Sequence, residues 1–426
     1  MNDIKKSSIF ISQESHVKTF VLLLCPVFLY SYNLEELVEI SQKNRLVESA
    51  TLSVTAREKA YQSTKSTYLP TLNLGASYLN TLNETPASAE NTLRATVSLQ
   101  YTLYDGGKKD ALYEKLLYNV DASKESLESV KNTISLDVTR LYFDYLSFMS
   151  YKEATNQQIK QLEAELQRLQ MYYKIGSVTR DEVDKIDSRV KLEKVVLNEI
   201  DLDIARILHT LEYYTMKNIT QVDAGSSIDM GETQKVQMRP DIKILELETK
   251  SLMYDAQTAK SENLPTLYLD NTYTYSDYYF ADNANKSPFV VSNQNVASLN
   301  LKWNVFDFGA RTEAYEAKQS EYLSQKASLE HQINKADVDY RLSQKELEII
   351  KLKIAATKAT LDAASATYKL IKLKYQNGAI DNVAYLQSLS EKFNAQRVYE
   401  KAKNDLEIKK AEVLFYSGHI IKEYFR

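Results

Sequence analysis

The sequence predicts an α+β membrane protein built from one unit used twice: helix, strand, strand and a long helical hairpin. Three observations predict it. Landmarks of residues 57–190 recur in residues 252–392. Leu69-Pro70-Thr71-Leu72 is answered by Leu264-Pro265-Thr266-Leu267 about 195 residues on, and Asp105-Gly106-Gly107 and Gly176 are answered by Asp307-Phe308-Gly309 and Gly378 about 202 residues on. Two segments in each copy alternate between apolar and polar residues over strand length. Two stretches, 108–172 and 311–375, contain neither proline nor glycine. An internal repeat of this size is read first because it decides the architecture.

Composition agrees. A chain of 426 residues could hold two or three ordinary domains, but 9 Gly and 6 Pro are few and imply long unbroken elements. A net charge of −4 leaves no basic footprint for nucleic acid. The 31 Tyr stand against 12 Phe and one tryptophan, Trp303. Tyrosine, apolar with a polar tip, suits a membrane–water boundary, although a genome-wide bias would give the same count. Lys18 followed by the apolar run Phe20–Leu29 reads as an export signal, too short to span a membrane. The expected signal is residues 1–32, with 1–17 an extension ahead of it. Cys25, the only cysteine, falls inside, so the mature chain offers no disulfide or thiol chemistry.

The first repeat is expected over 33–217. A helix at about 34–67 ends before Pro70, and its counterpart at about 239–262 ends before Pro265. Strands follow at about 69–82 and 93–104. In the second of these Leu93, Ala95, Val97, Leu99, Tyr101 and Leu103 share one face, and Arg94, Thr96, Ser98, Gln100 and Thr102 the other. The second repeat, 239–417, places strands at about 265–280 and 295–306, with Leu267, Leu269, Tyr273 and Tyr275, then Leu299, Leu301, Trp303 and Val305, on the apolar face. Alternation over some 10 residues fits membrane β-strands with an apolar outside and a polar lumen, where Arg94, Gln100, Asp270 and Lys302 would sit. A half-buried soluble sheet would alternate in the same way. The polar stretches 82–92 and 281–294 read as outward loops.

Each proline- and glycine-free stretch would be a helix roughly 97 Å long at 1.5 Å per residue. Ile159, Leu162, Leu166, Leu169 and Tyr173 form a heptad seam, repeated by Leu361, Ala364, Tyr368, Ile371 and Tyr375. After Gly176 the chain returns with a strong seam from Val183 to Leu211, broken at Glu193. After Gly378 the seam is weaker, with Val383, Leu386 and Phe393. The weaker hairpin is the one expected to move. Residues 218–238 read as an inter-repeat linker and 418–426 as a tail.

Catalytic chemistry is not legible. Asp307-Phe308-Gly309 matches a kinase metal-binding triplet, but no phosphate loop or His-Arg-Asp loop accompanies it. A turn with Asp105 or Asp307 as helix N-cap, and Gly106, Gly107 and Gly309 in the turn, explains both copies. The four histidines have no ligand spacing. No cofactor, metal or enzymatic activity is expected. The tips hold the charges: Gly176, Arg180, Asp181 and Glu182 in the first, Gly378, Asp381 and Asn382 in the second. They serve either as helix-end caps or as the lining of an aperture where several chains converge.

Four strands cannot close a barrel in lipid, and bacterial barrels start at about 8 strands. Two copies would supply 8 and three would supply 12. Modestly bulky polar faces favour the wider option. A barrel continued by helices is a conduit. An exported coiled-coil structural or surface protein remains the alternative, as does a porin, although a porin needs no long hairpins.

The Leu-Pro-Thr-Leu strand starts, the turns at 103–108 and 305–311, Arg239-Pro240-Asp241-Ile242 and Tyr-x-x-Gly at 173–176 and 375–378 together resemble the outer membrane efflux protein family typified by TolC. The resemblance covers nearly all of 34–417. It implies a homotrimer in outer membrane lipid, with a 12-stranded barrel continued by a periplasmic α-helical coiled-coil barrel. It also implies docking to a periplasmic adaptor and an inner-membrane pump of the RND, ABC or MFS class, for efflux of small toxic compounds or type I secretion of proteins. The family's gate aspartates would match Ala384 and Gln387, which this chain has instead, while Glu182 matches the acidic residue of the first tip. Asp181, Glu182 and Asp381 are the expected substitutes.

Overall fold

The computed structural model describes residues 31–231, 236–281 and 287–426. The predicted signal therefore lies almost wholly outside the described residues. Tyr32, at its expected end, pairs with Val222, so the folded part begins no later than Tyr32.

The first predicted helix is two. Helix α1 (Leu34–Ser41) and α2 (Arg45–Thr67) are separated because Asn44 turns out of the helix and caps the next one, its Oδ1 accepting from Val47 N at 3.0 Å. Asn33 caps α1 in a reciprocal box with Glu36. Then come β1 (Thr71–Asn80), β2 (Asn91–Tyr104), α3 (Lys108–Lys174) and α4 (Arg180–Thr215). The second repeat supplies α5 (Pro240–Ser261), β3 (Thr266–Tyr279), β4 (Asn293–Lys302), α6 (Ala310–Gln376) and α7 (Asn382–Tyr416). Both α3 and α6 have 67 residues.

The strands form one antiparallel sheet in the order β1-β2-β3-β4. The central pair β2–β3 joins the two repeats. Strand β4 stops at Lys302, four residues before its expected end. The equivalent residues of β2 stay in the ladder because β3 pairs with them. Among the described residues β4 has no partner on its outer side, and Trp303, Val305 and Phe306 leave the ladder.

The long helices pack side by side as a wall. Near the sheet its order is α2, α3, α5, α6, and below it is α4, α3, α7, α6. The long helices run through both levels and exchange neighbours where the repeats change partners. The main core sits at that level: Leu34, Leu37, Tyr142, Phe143, Leu211 and Leu414 are buried together. The linker and tail are part of it. Ile219, Val222 and Ile228 join the core, Ile228 bridges Phe425, and a 3-10 turn at Ile421–Tyr424 is held by Asn132, which donates to His419 O and accepts from Ile421 N. Residues expected to be a loop and a free tail therefore tie the two repeats together.

Helix α7 corrects the reading of its seam. Tyr385, Leu389 and Phe393 are buried, while Val383 is exposed. The helix lies between α3 and α6, so it buries two faces, including Ser388 and Asn382. Burial on two sides blurs a single apolar stripe. The weak heptad pattern thus reports two neighbours rather than loose packing.

Candidate functional site

In its two central strands the sheet is apolar on its open face and polar on its sheltered one. Along β2, Leu93, Ala95, Val97 and Leu99 are exposed while Arg94, Thr96 and Ser98 between them are half-buried. Leu74 on β1 and Leu299 on β4 are 78% and 64% exposed. The register carries the pattern across all four strands, setting Gln100 opposite both Thr71 and Asp270, Asp270 opposite Ser298, and Thr266 opposite Lys302. Arg94, Gln100, Asp270 and Lys302 thereby share the polar face. In water this arrangement is inside out.

The strand-to-helix turns work slightly differently from the expectation. The N-cap residues are Gly107 and Gly309, both left-handed (φ 82° and 87°). The aspartates cap from two residues earlier: Asp105 accepts from Lys109 N at 2.7 Å, and Asp307 from Gly309 N and Arg311 N at 3.2 Å each. The Arg311 side chain and the turn's own N–H groups hold the Asp307 carboxyl below the usual range.

At the far end both hairpin tips turn on a left-handed glycine, Gly176 (φ 74°) and Gly378 (φ 71°). Asp381 caps α7, accepting from Ala384 N at 3.0 Å. Asp181 accepts from the Thr179 hydroxyl and from Lys185, which together hold its carboxyl low. A cleft of about 610 Å³ lies between the tips and gathers Asp181, Glu182, Gly378, Asp381 and Asn382. Arg180 points elsewhere, pairing with Asp184 at 3.6 Å, and Gly176 lies outside the cleft lining. Gln387 hydrogen-bonds Glu391 at 3.0 Å.

Sequence reading missed what joins the tips. Arg168 on α3 pairs with Glu165 at 2.6 Å and lies 5.0 Å from the ring centre of Tyr375 on α6. Tyr375 stacks on Tyr385 of α7 at 4.7 Å, with Tyr368 beside it. Burial, then Glu165, pushes the Tyr375 phenol far above its ordinary value, and burial with Tyr368 does the same to Tyr385. Both stay neutral at any physiological pH. Tyr368 and Tyr375 were visible as seam residues. Tyr385 was hidden because it lies on the second face of α7.

An inside-out sheet continued by helices of 67 residues, roughly 100 Å long at 1.5 Å per residue, is the architecture expected of a membrane channel subunit. A model of the outer membrane efflux protein family matches residues 37–215 and 234–419, and the chain belongs to that family. It is accordingly an outer membrane channel protein with a long periplasmic helical extension, and not an enzyme. Solved structures agree in fold. The Campylobacter jejuni CmeC outer membrane channel is similar at a TM-score of 0.79 with 16% identity, over 90% of this chain and 85% of that one. The Vibrio cholerae outer membrane protein VceC is similar at 0.80 with 13% identity, over 91% and 96%. A membrane protein from Pseudomonas aeruginosa is similar at 0.80 with 17% identity, over 92% and 91%. No curated protein sequence matches the chain.

Proposed function

We propose that three copies close into a 12-stranded barrel continued by an α-helical tunnel. Through it a periplasmic adaptor and an inner-membrane pump of the RND, ABC or MFS class would export small toxic compounds or proteins. The observation that carries this is the inside-out sheet whose two edges, β1 and β4, are unpaired among the described residues, since an open edge is not tolerated in lipid. The helical wall has matching open edges. On the outer side of α6, Val338, Leu342, Ile349, Leu352, Leu370 and Leu373 are exposed in heptad spacing; on α4, Leu192, Val195 and Leu202 are too. A non-transporting coiled-coil protein has no use for the sheet.

The internal repeat sets the register between copies. Within the chain, Asn404 on α7 hydrogen-bonds Ser147 on α3 at 3.0 Å. Their repeat equivalents are Leu202 on α4 and Ile349 on α6, both exposed. With Cys25 replaced by serine, Leu202→Cys with Ile349→Cys is expected to give a covalent trimer from the membrane fraction on oxidation. A soluble monomer without cross-links would overturn the reading.

The tip carboxylates Asp181, Glu182 and Asp381 then line the entrance, with the family's acidic positions at Ala384 and Gln387 left neutral. Glu182→Ala with Asp381→Ala is expected to lower cation over anion selectivity in single-channel recordings. Unchanged selectivity would leave these groups as helix caps only.

A further inference from the structure

The two strand-to-helix turns are repeats of one another except at their middle residue. In the first turn Gly106 has φ +73°, and a Cβ there would lie 2.7 Å from the Ser261 carbonyl oxygen and 2.8 Å from the Leu264 Cβ. The turn is seated directly on the end of α5, with no room for any side chain. In the second turn the same position is Phe308, also left-handed at φ 58°. A bulky residue rarely adopts that backbone. Its side chain is 92% exposed, against the ring of Phe306 at 4.7 Å.

The strain has no counterpart inside the chain that would explain it. The repeat equivalents of Ser261 and Leu264 are Ser66 and Leu69, at the end of α2. Leu69 is 63% exposed. Helices α2 and α6 lie at opposite edges of the wall, so Phe308 cannot use that seat in its own chain. The second turn is nevertheless held in the same pose as the first: Asp307 accepts from Arg311 N as Asp105 does from Lys109 N. Arg311 further donates to Glu262 O at 2.8 Å, which fixes the turn against α5 on one side and leaves Phe308 to the other.

Resting on the three-copy reading, we propose that Phe308 of each copy is wedged against the Ser66–Leu69 end of α2 in the next copy. The backbone seat is the one Gly106 occupies within a chain, but a seat closed to a Cβ cannot take a phenyl ring unchanged. The junction between copies is therefore wider than the junction within a chain. Tight and wide junctions alternate around the base of the barrel, and the assembly is threefold there rather than sixfold. The occupant is a second copy and not lipid, because the repeat places the Ser66–Leu69 end of α2 at the position equivalent to the seat of Gly106 and the turn is braced to face it.

The test uses the full chain in outer membranes, with Cys25→Ser throughout. Phe308→Cys with Leu69→Cys is expected to cross-link between copies on oxidation, since a disulfide needs Cβ atoms about 3.5–4.5 Å apart. Phe308→Gly, which relieves the backbone strain and keeps the turn foldable, is expected to lose the heat-resistant trimer band at temperatures where the parent retains it. Absence of the Phe308–Leu69 cross-link, with a Phe308→Gly trimer as heat-resistant as the parent, would overturn the wedge. The Leu202–Ile349 cross-link separates the two readings: if it still forms, only the wedge has failed, and if it is also absent, the three-copy assembly has failed with it.

Discussion

Leu74→Arg is expected to keep the chain out of the outer membrane, whereas Asn73→Arg is expected to be tolerated. The two positions are adjacent on β1 and point to opposite faces of the sheet. Leu74 lies on the apolar face beside Val97 of β2. An arginine on a lipid-facing position costs about 2–4 kcal/mol near the bilayer midplane, and far less in a water-filled lumen. Each copy of the assembly would carry the cost. Fractionation with detection of the heat-modifiable band measures it. Equal insertion of both variants would mean that the exposed apolar face does not meet lipid.

Phe393→Ala is expected to release the second hairpin from the first near the tip. Phe393 is fully buried and belongs to one apolar cluster with Leu162, Leu169, Ile186, Tyr385 and Leu389, where α7 meets its neighbours. Replacing a buried phenylalanine by alanine costs roughly 3–5 kcal/mol. The loss falls at the end of the hairpin far from the sheet, so the barrel's resistance to heat and detergent should be unaffected. Amide exchange in residues 368–395 should accelerate by orders of magnitude, while Val383→Ala, at an exposed position of the same helix, should leave it unchanged. If Val383→Ala acts as strongly, the seam lies where the sequence pattern alone would put it.

These two outcomes touch the two levels at which the sequence was informative. The strands were legible because two-residue alternation dominates them, most regularly in β2, and a one-residue error of register would put Arg94 or Asp270 on the wrong face. The turns were legible because Pro70, Pro265 and the glycines at 106–107 and 309 permit little else. The aspartates were assigned to capping correctly but one step too literally: the left-handed glycine takes the cap position, and the carboxylate reaches over it. Arg168, Tyr375 and Tyr385 were not legible as a cluster. They come from three segments, and nothing local marks an arginine that will lie over a tyrosine some 200 residues away in sequence.

By itself, the sequence determined the repeated plan, the four strands and their two faces, the two long unbroken helices and the glycine turns at their ends. All of these follow from periodicity and backbone chemistry, which act over a few residues at a time. Only the tertiary structure decided which helix has two neighbours and which has one, that the linker and tail are core, and that β4 and α6 end the wall unpartnered. Such properties depend on which surfaces meet. A pattern of apolar residues states that a face will be buried, but not against what. Phe308 makes the same point from the other side: in the sequence it is one more turn residue, and only the crowded seat of Gly106 shows that its own seat must be a different one.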